Sequence, residues 1–167
     1  SDYVLHLASI AEPAQYITRP KKIISIAALA AIDIIDACVE LKKKIFFTST
    51  SEIYGKNKKI PFSEDDDRVL GSTTKKRWCY STSKALVEHY IEASAMNGEL
   101  DYRIVRLFNV YGPRLEGRVV ANFIRKSLKN ETLEINGTGN QTRCFTYIDD
   151  AIKAFNSILE TEKCKNN

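Results

Sequence analysis

The spacing of apolar residues changes along the chain, and each change predicts an element. Tyr3-Val4-Leu5-His6-Leu7-Ala8 is a short, nearly continuous apolar run and predicts a buried strand. Ala14 to Arg19 reads as a polar connector ending at Pro20. From Lys21 to Val39 apolar residues recur at helical spacing, with β-branched residues alternating with alanine. That pattern predicts a buried helix, closed by Lys42-Lys43-Lys44, where cations suit the negative helix end. Ile45 to Ser49 is a second continuous strand, and Thr50 to Gly55 leaves the sheet. Lys56 to Arg77 is a long, charged connection without an element of its own, a length usual in functional loops. A helix from Tyr80 to Asn97 stops at Gly98, and Tyr102 to Phe108 is a third strand. Beyond a Gly/Pro loop from Asn109 to Arg118 come a helix (Val119 to Lys129) and a short strand (Thr132 to Ile135). A glycine-bearing turn (Asn136 to Gln141), a short strand (Cys144 to Tyr147) and a helix (Asp149 to Glu160) complete the pattern.

Strands alternating with helices predict an α/β fold built on a parallel sheet. In such sheets the chemistry lies beyond the carboxyl ends of the strands. Those ends are His6-Leu7-Ala8-Ser9, Thr48-Ser49-Thr50-Ser51-Glu52 and Phe108-Asn109, all small or polar and all followed by loops. The helix beginning at Tyr80 follows the second of them. The pattern therefore directs several polar segments at one crevice.

With 44% hydrophobic residues in 167, the chain can bury a sizeable core. The net charge of +4 comes from interspersed acids and bases. No basic stripe carries interleaved aromatics, so a nucleic-acid partner is not expected. Lys42-Lys43-Lys44 and Lys75-Lys76-Arg77 read as solvated faces, with an anionic ligand as the minority reading. Cys38, Cys79, Cys144 and Cys164 form no Cys-x-x-Cys pair, so no metal site is expected. Scattered cysteines fit a reducing cytoplasm, and no apolar run reaches the length of a membrane span.

The candidate chemistry lies in Tyr80-Ser81-Thr82-Ser83-Lys84. This spacing sets a phenol and an amine one helical turn apart on one face. A free tyrosine, with a pKa of about 10, is a poor base at neutral pH, and a lysine cation held against it favours the phenolate. Such a pair can take a proton from a sugar hydroxyl while hydride leaves the attached carbon.

Five stretches in order resemble the extended short-chain dehydrogenase/reductase family, the NAD-dependent nucleotide-sugar epimerases, dehydratases and decarboxylases. They are His6 to Ser9, Thr48 to Gly55, Tyr80 to Lys84, Arg106 to Arg114 and Gly137 to Phe145. The resemblance implies a partial Rossmann-like, doubly wound parallel sheet with part of a smaller sugar-nucleotide-binding domain. Residues 1–108 would be the later portion of the NAD-binding domain and 109–167 a partial substrate-binding region with crossover segments. It implies Tyr80 as base, Lys84 as its partner on the nicotinamide ribose, and Thr50 or Ser51 on the reacting hydroxyl. His6, Ala8, Ser49 and Phe108, with Tyr80 and Lys84, would line the cofactor, NAD. Asn109 would meet the substrate diphosphate, and Val120, Asn122 and Arg143 the nucleotide. It further implies a UDP-sugar or other nucleotide-sugar substrate and a homodimer when full length.

The chain departs from the family pattern in three ways. It has no Gly-x-x-Gly-x-x-Gly turn, and position 1 falls at about the family's fourth strand. The final part of the sugar-binding domain is missing. Ala27 and Ala30-Ala31 stand where relatives often carry asparagine and Gly-Thr. The expectation is a piece of an enzyme that by itself binds poorly. Relatives share oxidation of the sugar C4 hydroxyl to a 4-keto sugar, which is then re-reduced, decarboxylated or dehydrated. Ser51-Glu52 resembles the decarboxylase pattern, whereas dehydratases tend to carry Asp-Glu and many epimerases small or apolar residues there. The resemblance therefore favours a UDP-glucuronate decarboxylase, before a UDP-glucose 4-epimerase and then a 4,6-dehydratase. A non-catalytic binder of dinucleotide or sugar nucleotide stays open, although it would have no need of a phenolate.

Overall fold

Three strands build the sheet that carries the centre of this computed structural model: β1 (Tyr3–His6), β2 (Lys44–Thr50) and β3 (Tyr102–Leu107). Their order is β1-β2-β3 and both pairings are parallel, with His6 opposite Phe47 and Thr50 opposite Leu107. The structure describes every residue except Asn97 and Asn167. β2 is central, and its burial runs unbroken from Ile45 to Thr50. A central parallel strand is covered on both faces, which is why Ile45-Phe46-Phe47 shows no alternation in the sequence.

The predicted helix of residues 21–39 begins at Pro20, whose fixed φ suits the first helical turn. It runs as α2 (Pro20–Ile24), a π-helical segment (Ser25–Leu29) and α3 (Ala30–Glu40). Ala27, Ala28 and Ala31 are fully buried, so the small residues serve close packing. Ala28, Ala31, Ile35 and Cys38 join Ile45, Phe47, Val87, Ile91, Leu100 and Tyr102 in the main core. The expected connector at 14–19 is instead a helix, α1 (Pro13–Thr18). Proline again occupies its first turn, and its single buried residue, Tyr16, stacks on Tyr80 at 4.7 Å between ring centroids. That tertiary contact outweighs the polar composition of the segment.

After β2 the chain makes a 3₁₀ turn over Ser51–Tyr54, capped by Thr50, whose Oγ1 accepts the Glu52 backbone N–H at 3.2 Å. Gly55 ends the turn with φ of +64°, and a Cβ there would lie 2.3 Å from the Val69 carbonyl oxygen. Only glycine permits that approach. The following loop is irregular, as expected, apart from a bridge between Gly55 and Val69 and a 3₁₀ turn over Lys76–Trp78. Helix α4 (Cys79–Ala95) then returns across the sheet, and Gly98 N–H bonds back to Ala95 O at 2.9 Å. The predicted end of this helix, Asn97, lies outside the described residues.

The chain divides into two units, one of residues 1–107 with 159–167 and one of residues 108–158. Within the second, the expected loop at 109–118 contains a strand, β4 (Asn109–Tyr111), paired parallel with β5 (Phe145–Tyr147). The two are held by Asn109 and by edge-on contacts of Tyr111 with Phe145 and Tyr147. Helices α5 (Val119–Leu128) and α6 (Ile148–Glu160) agree with expectation to within a residue. The strand predicted at 132–135 does not form. Leu133 and Ile135 are exposed, and a four-residue strand without a ladder partner has no backbone hydrogen bonds to hold it.

Candidate active site

Helix α4 buries an unusual face. Beside Ala85, Val87 and Ile91 it buries Tyr80, Ser81, Ser83, Lys84 and Glu88. A helix face placed for packing alone would not carry a lysine and a glutamate inward, because each buried charge needs a partner. The partners identify what this face is built to hold.

Lys84, only 1% exposed, donates from Nζ to the Thr48 carbonyl at 2.7 Å and sits 4.3 Å from the centroid of the Phe47 ring. Burial lowers its pKa to about 8, against an opposing attraction from Glu88 one turn further along α4. The ammonium is thus poised to lose its proton far more readily than an exposed lysine. Tyr80 lies one turn before it, buried, with its ring on Tyr16.

The turn after β2 is pinned to the start of α4, since Ser81 Oγ donates to the Glu52 carbonyl at 2.7 Å. This hydrogen bond puts Thr50, Ser51 and Glu52 on the same side of the sheet as the helix start. The Glu52 side chain pairs with Arg77 at 3.1 Å, immediately before α4. A second clasp fixes the far end of the turn. Arg106 on β3 holds both carboxylate oxygens of Glu88, donates to the Tyr54 hydroxyl at 3.1 Å and to the Glu64 carbonyl at 2.7 Å. Sequence reasoning missed Tyr16, Arg106 and Glu88 as members of the centre. Glu88 was findable, as an acid four residues after Lys84 on a helix. Tyr16 gave no signal.

At the carboxyl ends of β1 and β2 lie three buried polar atoms without a hydrogen-bond partner: His6 Nε2, Ser9 Oγ and Ser49 Oγ. His6 stacks on Phe47, and its backbone carbonyl accepts from Thr48 Oγ1 at 3.3 Å. Burial first, and the charge of Lys84 second, lower the His6 pKa below the usual imidazole value, which favours the neutral ring. Unsatisfied polar atoms of this kind, close to a buried cation, suit a ligand rich in hydroxyl and amide groups. They fit the nicotinamide and ribose end of NAD. The glycine-rich pyrophosphate cradle is not among these 167 residues. Ala8, beside them, is exposed. No group of three or more His, Cys, Asp or Glu among the described residues could hold a metal.

The remaining predicted positions belong to the second unit. Asn109 donates from Nδ2 to the Cys144 carbonyl at 2.9 Å, which brings it beside the neighbour of Arg143 in sequence. Arg143 is exposed, with Nη1 on the Thr142 carbonyl at 2.6 Å. Asn122 accepts from Arg125, and Val120 lines a hollow with Tyr111, Pro113, Ile124 and Tyr147. Phe108 is exposed, not core. No helix among the described residues is long and apolar enough to cross a membrane.

Known proteins resemble this chain in sequence and fold. The chain is 43% identical over 157 residues to UDP-N-acetyl-α-D-glucosaminuronate decarboxylase of Bacillus cytotoxicus, covering 92% of this chain and 48% of that protein. Its fold superposes on the UDP-glucuronic acid 4-epimerase of Bacillus cereus, solved with UDP-glucuronic acid and NAD, with a TM-score of 0.85 at 31% identity. That match covers 98% of this chain and 51% of the other. The UDP-glucose 4-epimerase of Thermotoga maritima, solved with UDP-glucose, gives a TM-score of 0.84 at 30% identity over 95% of this chain and 52% of its own. The chain thus spans about half the length of these relatives. The family model described as the NAD dependent epimerase/dehydratase family matches residues 1–167, and with the parallel sheet and the buried Tyr80–Lys84 helix already in place, the chain belongs to that family.

Proposed function

We propose that the full-length protein oxidises C4 of a UDP-hexuronate and decarboxylates the 4-keto sugar, and that this chain carries its acid–base centre. NAD, when bound, supplies the hydride acceptor. Tyr80 takes the proton of the C4 hydroxyl, with Lys84 as the adjacent cation that favours the phenolate. Thr50 or Ser51 orients that hydroxyl. His6, Ala8, Ser49, Lys84 and Phe108 hold the nicotinamide end of NAD. Asn109, Val120, Asn122 and Arg143 hold the nucleotide diphosphate, with Arg143 suited to phosphate.

One observation carries the choice of decarboxylation. Glu52 follows Ser51 on a turn fastened to α4, with its carboxylate turned to the Arg77 guanidinium. Removal of hydride from C4 does not require a carboxylate there, since Tyr80 does the proton work. In the decarboxylation reading a carboxylate there has a task, because the enolate left at C5 when carbon dioxide departs must receive a proton and Glu52 can manage that proton. The relative named as a uronate decarboxylase supports this reading. The solved 4-epimerases support a second one, re-reduction of the 4-keto sugar on its other face.

The two separate in a paired experiment on the full-length enzyme with UDP-glucuronate and NAD. NADH absorbance in a single turnover follows oxidation, and labelled carbon dioxide follows decarboxylation. Glu52→Gln leaves the oxidation largely intact and blocks the release of carbon dioxide. An unmodified enzyme that releases none, yet interconverts UDP-glucose and UDP-galactose or epimerises UDP-glucuronate, makes the epimerase reading the right one.

A further inference from the structure

We propose that Arg77 is the residue that recognises the substrate's carboxylate, with Glu52 as its counter-ion, so that it selects acidic over neutral sugars. The inference rests on the reading of the substrate as a UDP-hexuronate. Arg77 reaches Glu52 Oε2 from Nη1 at 3.1 Å, and its guanidinium lies 5.0 Å from the centroid of the Trp78 indole. The indole is itself seated: a Cβ at Gly71 would lie 2.3 Å from its Nε1, so the loop backbone packs directly on the ring. Lys56 Nζ approaches the same ring at 6.0 Å. Two cations therefore gather about Trp78, and one of them, Arg77, reaches across to the carboxylate of Glu52, which lies on the turn that Thr50 caps and Ser51 begins.

An exposed ion pair ordinarily contributes little, because two long side chains must be held in one geometry. Here the ring already orders the arginine, so less freedom is lost when a ligand arrives. The Arg77 side chain is 50% exposed while that of Glu52 is 23% exposed, which leaves the guanidinium the more accessible partner. Glu52 Oε2 takes one of the five N–H donors, and a planar carboxylate needs two. A hexose with a hydroxymethyl group at C5 offers the guanidinium no charge. The decarboxylated product offers none either, so the same contact that draws the substrate in is lost once carbon dioxide has left.

The test measures binding to the full-length enzyme with NAD present, by calorimetry, for UDP-glucuronate and UDP-glucose. Arg77→Met, which keeps an unbranched stem over Trp78, weakens UDP-glucuronate by about 10- to 100-fold and leaves UDP-glucose within about twofold. Arg77→Lys falls between. Equal weakening of both ligands, or of neither, overturns the proposal. Carbon dioxide release is scored separately. An enzyme that binds UDP-glucuronate through Arg77 but releases no carbon dioxide refutes the decarboxylase reading alone. One that releases it with Arg77-independent binding refutes the Arg77 role alone.

Discussion

Replacing Lys84 by methionine turns the burial of its charge into a measurable pH dependence of stability. Methionine keeps the unbranched stem and removes the ammonium. In the folded protein Lys84 titrates at about 8, against 10.5 for a free lysine. Between those values the unfolded chain binds the proton that the folded one has lost, so stability rises with pH through this window. Below pH 8 both states are charged and the full cost of burial is present. For a shift of that size the relative gain of the wild type over Lys84→Met is about 2.5 kcal/mol from pH 7 to pH 10. The comparison with the variant is needed because other groups titrate nearby with the opposite sign. Burial raises the pKa of Cys38 and Cys79, and burial with a hydrogen bond donated to the Glu92 carboxylate raises that of Tyr102. Each destabilises the fold as pH climbs past its free value, equally in both proteins. Urea unfolding at pH 7, 8, 9 and 10 gives the two curves. Parallel curves, with a difference that does not change over this range, would refute the argument that Lys84 is held as a desolvated cation.

Two further outcomes follow from the same geometry. Arg106→Met leaves the Glu88 carboxylate, 8% exposed, without its guanidinium and costs about 3 kcal/mol in urea unfolding. The double change Arg106→Met with Glu88→Leu recovers much of that loss, and a double change costing the full sum of two large single losses would show that no pair is being broken. In calorimetry this 167-residue chain shows no measurable affinity for NAD, because the pyrophosphate finds no glycine-rich turn and helix N-terminus within it. Micromolar binding would contradict that outcome.

The parallel sheet and most helices were legible because burial on both faces leaves an unmistakable mark: Ile45-Phe46-Phe47 has no polar interruption, and the helix faces repeat at 3.6. What misled was local polarity. Ala14 to Arg19 reads as a connector because five of its six residues meet solvent or the surface, yet one tyrosine stacked on Tyr80 is enough to fix a helix. The strand expected at Thr132 to Ile135 had the right residue types and lacked a neighbour to pair with, which no single segment can reveal. Tyr80, Lys84 and the Thr50 to Glu52 turn were legible as a motif. The arginines that hold the turn were not. Arg106 looks like one of two polar residues in an otherwise apolar strand, and its bonds to Tyr54, Glu64 and Glu88 join residues up to 52 apart in sequence.

The most direct test of the account is Tyr80→Phe in the full-length enzyme, read as NADH formed in a single turnover with UDP-glucuronate and NAD. The substitution keeps the ring that stacks on Tyr16 and removes only the hydroxyl. The account predicts a loss of about 10²–10⁴-fold in the rate of oxidation, with UDP binding little changed. Oxidation at a near-normal rate would remove Tyr80 from the chemistry and contradict the account at its centre.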